Sequence, residues 1–191
     1  MSTRVRYTSR DLEGLPDIDG VRYEIIDGDL YVATAPHWEH QDTADELASA
    51  LRAWNKVRRL GATVTTPGLV FAEDQNGIPD IVWISHDRHT RGLDSAGHLT
   101  IAPELVVEVL SEGRANEFRD RAIKLDLYSR QGADEYWIVD WRARLVEVYR
   151  QLAGQLQRVE TLTGDDILTS PLLPGFECRI SSLWAPSRPN S

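Results

Sequence analysis

The sequence predicts an α/β protein in which helices cover the faces of a β-sheet. Two segments, residues 39–59 and 117–130, repeat apolar side chains at three- and four-residue steps, which is typical of amphipathic helices. Short runs rich in Val and Ile, such as residues 80–84 and 104–110, predict buried strands. Because helical segments separate groups of strands along the chain, we expect the helices to pack on the sheet.

The bulk properties favour an ordinary globular protein. The 191 residues fit one domain, 1–191, with residues 1–20 as a lead-in and residues 170–191 as a tail that packs on the body. Cys178 is the only cysteine, which suits a reducing compartment. No apolar run approaches the roughly 20 residues that a membrane-spanning helix needs. We therefore expect a cytoplasmic protein that does not enter a membrane.

The first predicted elements are a β-hairpin and a long helix. Residues 23–26 and 30–33 are β-prone runs on either side of Asp27-Gly28-Asp29, and Asp-Gly tolerates the positive φ of a tight turn. The helix at residues 39–59 is expected to end at Gly61. Its inward side chains are predicted to be Ala44, Leu47, Ala48, Leu51, Trp54 and Val57.

The remaining elements alternate between strands and one more helix. The predicted strands are residues 62–66, 69–72, 80–84, 104–110, 135–140 and 145–149, with a turn at 74–77 and an exposed polar excursion at 86–97. The second helix, residues 117–130, is capped by Gly132. Its inward side chains are predicted to be Phe118, Ala122, Leu125 and Tyr128.

Two acidic residues in apolar strands require an explanation. Asp80 begins one strand and Glu108 lies in the middle of another. A buried carboxylate is costly unless it is paired, hydrogen-bonded or bound to a metal. A divalent cation shared between adjacent strands is the simplest joint explanation. Alternatively, Asp80 could be a turn residue and Glu108 part of an ion pair with Lys124 or Arg121.

The net charge of −9 argues against non-specific nucleic-acid binding, which depends on Lys and Arg. It does not exclude a nuclease, because a carboxylate-rich metal site is itself acidic and its cation offsets part of the charge. Arginine and lysine side chains between Arg114 and Arg130 could follow a phosphate backbone or form an ordinary solvated helix face.

Several segments together resemble a known family. They include Tyr23–Gly28, His40-Gln41, Pro79–Val82, Pro103–Ser111, the helical trio Asp120, Lys124 and Tyr128, Gly132–Asp140 and Ser170–Gly175. The arrangement of Pro-Asp, a strand bearing Glu, and then Lys resembles the PD-(D/E)XK phosphodiesterase superfamily. In detail the chain resembles its Uma-type family of restriction-endonuclease-like proteins, over about residues 20–185.

The resemblance implies a restriction-endonuclease-like mixed sheet flanked by helices, with an N-terminal β-hairpin. It implies that Asp80 and Glu108 bind the metal. The superfamily's lysine normally lies two residues after the strand acid, where this chain has Leu110; in the Uma-type branch it lies on the following helix, where Lys124 matches. Glu24 and His40 match further positions that line the site.

The implied reaction is hydrolysis of DNA by a Mg²⁺-dependent endonuclease, with Mn²⁺ as a substitute metal and a homodimer as the assembly. Mg²⁺ is a hard octahedral ion that takes carboxylates, waters and substrate phosphate, and it activates water for attack on a phosphodiester. Lys124 would stabilise the developing charge or orient the water. Glu24 could complete the metal shell, and His40 could carry a proton or contact phosphate.

Two other functions stay open at this point. The fold could serve as a catalytically silent module that binds nucleic acid or protein. The carboxylates could also form a metal-independent hydrolase, such as a glycosidase using Glu108 with Asp80 or Glu24. Glu24 could otherwise be a surface residue of the hairpin, and His40 an ordinary residue at the start of a helix.

Overall fold

The computed structural model describes residues 5–184, and the strands in this range form a large, a small and a two-stranded sheet. The strands, in chain order, are β1 (Arg22–Ile26), β2 (Asp29–Ala33), β3 (Gly61–Thr65), β4 (Leu69–Ala72), β5 (Gln75–Gly77), β6 (Ile81–Ser85), β7 (Leu105–Val109), β8 (Glu135–Asp140), β9 (Leu145–Leu152), β10 (Gln155–Thr163), β11 (Ile167–Leu168) and β12 (Cys178–Arg179).

The helices in the described range vary widely in length. They are α1 (Ser9–Leu12), α2 (Trp38–Arg58), α3 (His86–Gly92), α4 (Arg114–Phe118) and α5 (Leu125–Arg130), with a 3₁₀ turn at Ile180–Leu183. A π-helical segment, Arg119–Lys124, joins α4 directly to α5. No helix within residues 5–184 is both long and apolar enough to cross a membrane.

The large sheet has the strand order β10-β9-β8-β7-β6-β3, and the smaller sheet has the order β2-β1-β5-β4. In the large sheet β7 and β8 are parallel, whereas the other neighbouring strands are antiparallel. The parallel pair is connected through α4, the π-helical segment and α5, as a parallel connection requires a crossover. The predicted fold class, a mixed sheet flanked by helices, is confirmed. So is the hairpin, formed by β1 and β2.

Helix α2 packs on one face of the large sheet. Ala44, Leu47, Ala48 and Leu51 are buried there, as predicted. Val57 is 79% exposed, contrary to the prediction. Each three-residue step turns the helix by about 300°, so two successive steps leave Val57 about 120° away from the direction of Leu51.

Helix α2 ends at Arg58, three residues before Gly61, the glycine that was expected to end it. Arg59, with φ 55°, adopts the left-handed conformation and its N–H reaches the carbonyl oxygen of Asn55. Gly61 is instead the first residue of β3. A Cβ atom at Gly61 would clash with the carbonyl oxygen of Ile84 in the neighbouring strand, so the glycine permits close strand pairing rather than helix termination.

The strand β7 divides the core into two clusters. Leu105, Val107 and Val109 belong to the cluster that α2 covers. Val106 and Leu110 belong to the cluster on the other face. Because side chains alternate along a strand, Glu108 shares the face of Val106 and Leu110 and projects away from α2.

Other segments also differ from the sequence prediction. The predicted turn at 74–77 contains β5, and the predicted polar excursion at 86–97 contains helix α3, which Ser85 caps. Strand β10 was not predicted at all. It lies at the edge of the large sheet and buries only Leu156, so its sequence carries almost no apolar signal.

The second predicted helix is interrupted by the π-helical segment. Tyr128 is buried and Ala122 and Leu125 are partly buried, but Phe118 is 63% exposed instead of inward. A π turn holds more residues than an α turn and therefore rotates the preceding residues relative to the following ones. This rotation turns Phe118 outward and buries Arg119 and Asp120 instead.

The C-terminal part of the chain returns to the face of the sheet that α2 covers. Leu173, Phe176, Ile180 and Leu183 are buried in the same cluster as α2. The Trp54 ring N–H also donates to the carbonyl oxygen of Pro174, at 3.1 Å. The last part of the predicted tail, residues 185–191, lies outside the described residues, as do residues 1–4 of the lead-in.

We expect Leu47→Ala to lower the free energy of unfolding by about 2–5 kcal/mol, because it removes a fully buried side chain between α2 and the sheet. Val57→Ala, in the same helix and largely exposed, should change it by no more than about 0.5 kcal/mol. Urea unfolding followed by circular dichroism measures both. Equal effects of the two substitutions would contradict the described orientation of α2.

Candidate active site

The site is centred on an ion pair between β7 and the π-helical segment. Glu108 is only 3% exposed, and the Lys124 ammonium donates to its Oε1 atom at 2.9 Å. The Tyr128 hydroxyl, one helical turn further on, donates to the same oxygen at 3.3 Å. The predicted helical spacing thus places both groups over the middle of β7.

Glu24 joins this ion pair from the smaller sheet. Its Oε1 atom lies 3.0 Å from the Lys124 ammonium and accepts the N–H of Ile78 at 2.8 Å. The neighbouring Gly77 leaves room for these groups, because a Cβ atom there would lie 3.3 Å from the Tyr128 hydroxyl oxygen. Lys124 therefore connects carboxylates that belong to two different sheets.

Asp80 lies beside Glu108, just outside the end of β6. The first residue of β6, Ile81, pairs with Val107, which directly precedes Glu108. The Asp80 Oδ2 atom accepts the N–H of Val109 at 2.8 Å. This hydrogen bond fixes the carboxylate beside Glu108.

His40 reaches Asp80 from the first turn of α2. Its Nε2 atom lies 3.4 Å from Asp80 Oδ2, and its side chain is buried. The second ring nitrogen, Nδ1, has no hydrogen-bond partner within the described residues. Arg22 approaches the other oxygen of Asp80 more loosely, with 3.9 Å between Nη1 and Oδ1. All five residues predicted for the site are therefore brought together.

Two further buried charges, Asp120 and Arg119, lie beside Lys124 and are not among the site residues predicted from the sequence. Asp120 Oδ1 lies 3.4 Å from Arg119 Nε and 3.9 Å from the Lys124 ammonium. The four-residue spacing of Asp120, Lys124 and Tyr128 in the sequence does indicate that Asp120 lies on the same helix face as Lys124. Nothing in the spacing indicated that Arg119 turns inward, because that depends on the π-helical segment.

The surrounding charges shift the pKa values of these groups in different directions. Burial alone would lower the pKa of Lys124, but the carboxylates of Glu108, Glu24 and Asp120 outweigh burial and raise it. Burial alone would raise the pKa of Asp80, but the hydrogen bond and charge of His40 and the Val109 N–H lower it. Lys124 and Asp80 are thus held in their charged forms.

Glu108 is shifted the other way. Burial raises its pKa, and the charges of Asp80, Asp120 and Glu24 raise it further, while Lys124 opposes the shift. The carboxylates in the site thus outnumber the ammonium that offsets them. Additional positive charge would stabilise the ionised form of Glu108.

Two cavities open onto these residues. A small cavity of about 40 Å³ is lined by all five predicted residues and by Asp120 and Arg119. A larger one of about 380 Å³ lies beside it and shares His40, Ser111 and Arg119 with it. A small charged cavity that adjoins a roomier one can hold a reacting group of an extended substrate.

Residues 9–181 match the model of the family described as "Uma2: Putative restriction endonuclease". The chain belongs to the Uma2 family. No curated protein matches it. Among solved structures, it is similar to one described as "a putative nuclease belonging to DUF820" from Anabaena variabilis ATCC 29413, with 21% identity and a TM-score of 0.73 over 92% of this chain and 96% of that chain. This structural likeness confirms the fold, and family membership supports a nuclease activity.

The donor set of this Uma2 protein fits a hard divalent cation. Within residues 5–184 no group of three or more His, Cys, Asp or Glu side chains could hold a metal by itself. Mg²⁺, however, is commonly bound through one or two carboxylates and completes its shell with waters and substrate phosphate. The hydrogen bonds to Glu108 use Oε1 and those to Asp80 use Oδ2, so the Oε2 atom of Glu108 and the Oδ1 atom of Asp80 accept none from the described chain.

The basic stretch between Arg114 and Arg130 is largely committed to internal ion pairs. Arg121 pairs with Glu147 and Asp140, so it is not the partner of Glu108. Arg130 pairs with Asp27 and Asp126. These contacts favour a structural role for the stretch over a surface that follows a phosphate backbone.

We expect Lys124→Met to destabilise the Uma2 protein by about 3–5 kcal/mol at pH 8, because it leaves buried carboxylates without their common partner. The loss should shrink towards pH 5. Glu108, whose pKa is already raised in the folded state, then takes up a proton on folding, and this contribution to stability is present at low pH and is lost as the pH rises.

Lys56→Met is the matched control, because Lys56 is exposed on α2 and is the only other lysine of the chain. It should change the midpoint of thermal unfolding little at either pH. A Lys124→Met protein as stable as the wild type at pH 8 would contradict the described burial of the ion pair.

Proposed function

We propose that this chain is a Mg²⁺-dependent endonuclease that hydrolyses DNA phosphodiester bonds, with Mn²⁺ as a substitute metal. The observation that carries the proposal is that Asp80 and Glu108 line one small cavity, each with one carboxylate oxygen that accepts no hydrogen bond within residues 5–184. Membership of the Uma2 family supports the same class of reaction.

Asp80 and Glu108 would hold the metal. When bound, Mg²⁺ supplies polarisation of the scissile phosphate and a hydroxide nucleophile at neutral pH. The protein's contribution is to fix the two carboxylates: the Val109 N–H and His40 orient Asp80, and Lys124 and Tyr128 orient Glu108. Orientation of ligands by a surrounding shell of hydrogen bonds is a common requirement of metal sites.

Lys124 would stabilise the negative charge that develops on the phosphoryl group. Its buried ammonium is held by Glu108 and Glu24, and a preorganised charge in a water-poor site acts more strongly than one in solvent. Glu24 would position Lys124 through its Oε1 atom, which also accepts the Ile78 N–H. These contacts leave Oε2, so Glu24 would also be able to complete the metal shell, the role that the sequence suggested.

His40 would contact the substrate through Nδ1. The Nε2 atom is directed to Asp80, whose lowered pKa keeps it an anion, whereas Nδ1 has no partner within residues 5–184. A buried polar atom without a partner is costly, so a phosphate or water at this position would satisfy it.

We further propose a homodimer located in the cytoplasm. Cutting two strands of DNA requires two such sites, and a dimer provides them. The single cysteine, Cys178, is a buried free thiol, which suits a reducing compartment. Light scattering across working concentrations tests the assembly, and a monomer at every concentration would exclude the dimer.

We expect the wild-type protein to cleave at least one member of a panel of single-stranded, duplex and branched DNA in Mg²⁺ or Mn²⁺, and not in EDTA. Asp80→Asn and Glu108→Gln should each reduce the rate by at least about 10²–10³-fold, a loss typical of a group that stabilises the transition state. Glu104→Gln is the matched control. Glu104 lies next to β7 but binds Ser85 and Arg88, outside the site.

The same panel separates the other functions. Cleavage that persists in EDTA would favour a metal-independent carboxylate pair, and cleavage that survives Glu108→Gln would exclude the proposed site. Binding of DNA without cleavage of any form would favour a silent binding module.

Metal binding can be measured apart from catalysis. Mg²⁺ at about 100 times its Kd should stabilise the wild-type protein by about 2.7 kcal/mol, seen as a rise in the midpoint of thermal unfolding. Glu108→Gln should abolish this rise, whereas Glu104→Gln should preserve it. An equal rise in both variants would show that the ion binds elsewhere.

A further inference from the structure

The larger cavity beside the carboxylates has the size and the lining of a nucleotide subsite. Its volume of about 380 Å³ falls in the range of small-molecule sites. It continues into the carboxylate cavity, because the two share lining residues from the end of β2, α2, the loop after β7 and the π-helical segment. A group bound in it would be adjacent to a phosphate held at Asp80 and Glu108.

One wall of this cavity is a pair of stacked rings. The His37 and Trp141 rings lie 5.0 Å apart with only 9° between their planes. The indole N–H of Trp141 donates to the carbonyl oxygen of Leu110 at 3.0 Å, which fixes the pair to the sheet. The His37 side chain is still 50% exposed although Trp141 covers one of its faces. A planar base can therefore extend the stack on His37.

A nucleotide subsite also needs a place for phosphate. The residues that meet this need lie where the larger cavity joins the small carboxylate cavity. His40 lines both cavities and carries the buried Nδ1 atom that has no partner in the described chain. The buried guanidinium of Arg119 also lines both. The first turn of the 21-residue helix α2 lies at the same place, and its positive dipole end favours an anion.

The charges around the cavity do not suit a duplex. Arg121 and Arg130 are ion-paired within the protein, as described above, and Arg142 is ion-paired with Glu117 and Asp140. Glu112 lines the cavity itself, and the chain has a net charge of −9. Duplex binding depends chiefly on Lys and Arg that neutralise phosphates of both strands, whereas single strands can be held by stacking of bases on rings.

We propose that this cavity binds one unpaired nucleotide of the DNA strand, next to the phosphate that is cut, and that the substrate is single-stranded or locally unpaired DNA. The proposal rests on the proposed nuclease function and adds the form of DNA to it. The base stacks on His37, and Arg119 and His40 face the backbone. In the proposed homodimer, the larger cavity of each subunit would bind one of the two DNA strands.

Binding tests this proposal without depending on cleavage. We would measure the fluorescence anisotropy of a labelled 12-nucleotide oligothymidine and of a 12-base-pair duplex with the Glu108→Gln protein, so that the probes stay intact. The single strand should bind at least about tenfold more tightly than the duplex. Replacing the ring with His37→Asn should weaken single-strand binding about tenfold, as expected for loss of one stacked base.

Three matched variants locate the effect. Asn is a good N-cap residue, so His37→Asn preserves the cap of α2 that His37 now provides through Nδ1. His37→Phe keeps an aromatic ring and should retain single-strand binding. Trp38→Ala removes the adjacent ring, which is 78% exposed but does not line the cavity, and should have no effect.

Equal affinity for the two probes, or unchanged binding by His37→Asn, would overturn the proposal. Loss of binding in Trp38→Ala alone would also overturn it, because the stacking surface would then lie outside the cavity. If the expected pattern of binding is seen but the wild-type protein cuts no DNA, the nucleotide subsite stands and the proposed nuclease reaction fails.

Discussion

The buried ammonium of Lys124 is the contact on which the arrangement of this protein depends. It joins Glu108 in the large sheet, Glu24 in the smaller sheet and Asp120 in the π-helical segment. Removing such charges from water costs several kcal/mol for each ion, and the cost is offset only when partners are close and well oriented. The two sheets and the helical connection therefore have to meet at one point, which is the point where chemistry is possible.

The same requirement explains why the helical connection contains a π turn. A regular α-helix would keep Phe118 on the inward face predicted from the sequence, whereas the π turn places Arg119 and Asp120 there. π turns are rare, and where they interrupt an α-helix they are frequent at functional sites. Here the π turn forms a second ion pair, Arg119 with Asp120, beside Lys124 in the wall of the carboxylate cavity.

The acidic net charge of this molecule is compatible with nuclease activity because several of its carboxylates are gathered at the candidate site. The carboxylates of Asp80, Glu108, Glu24 and Asp120 are concentrated around Lys124 and Arg119. Burial, together with the charges of the other three carboxylates, raises the pKa of Glu108. A cation bound at this place would stabilise the ionised form of Glu108. The cavity lined by His37 and Trp141 then offers stacking on a ring as a mode of contact that does not need a basic surface.

The sequence by itself determined the fold class, the hairpin and both long helical segments, and it singled out Asp80 and Glu108 as carboxylates that need a common partner. These features depend on local periodicity and on acidic residues placed in apolar segments, and both can be read from the residue types. It also identified Lys124, Glu24 and His40 as members of the site, but only through a resemblance, since none of them is unusual in its own segment. Tertiary structure alone decided that Lys124 connects two sheets, that Arg119 is buried, that Phe118 and Val57 are exposed, and that His37 stacks on Trp141. The physical reason is that these outcomes depend on how far a helix is rotated and on which distant segments pack together, and neither is encoded in the periodicity of any one segment.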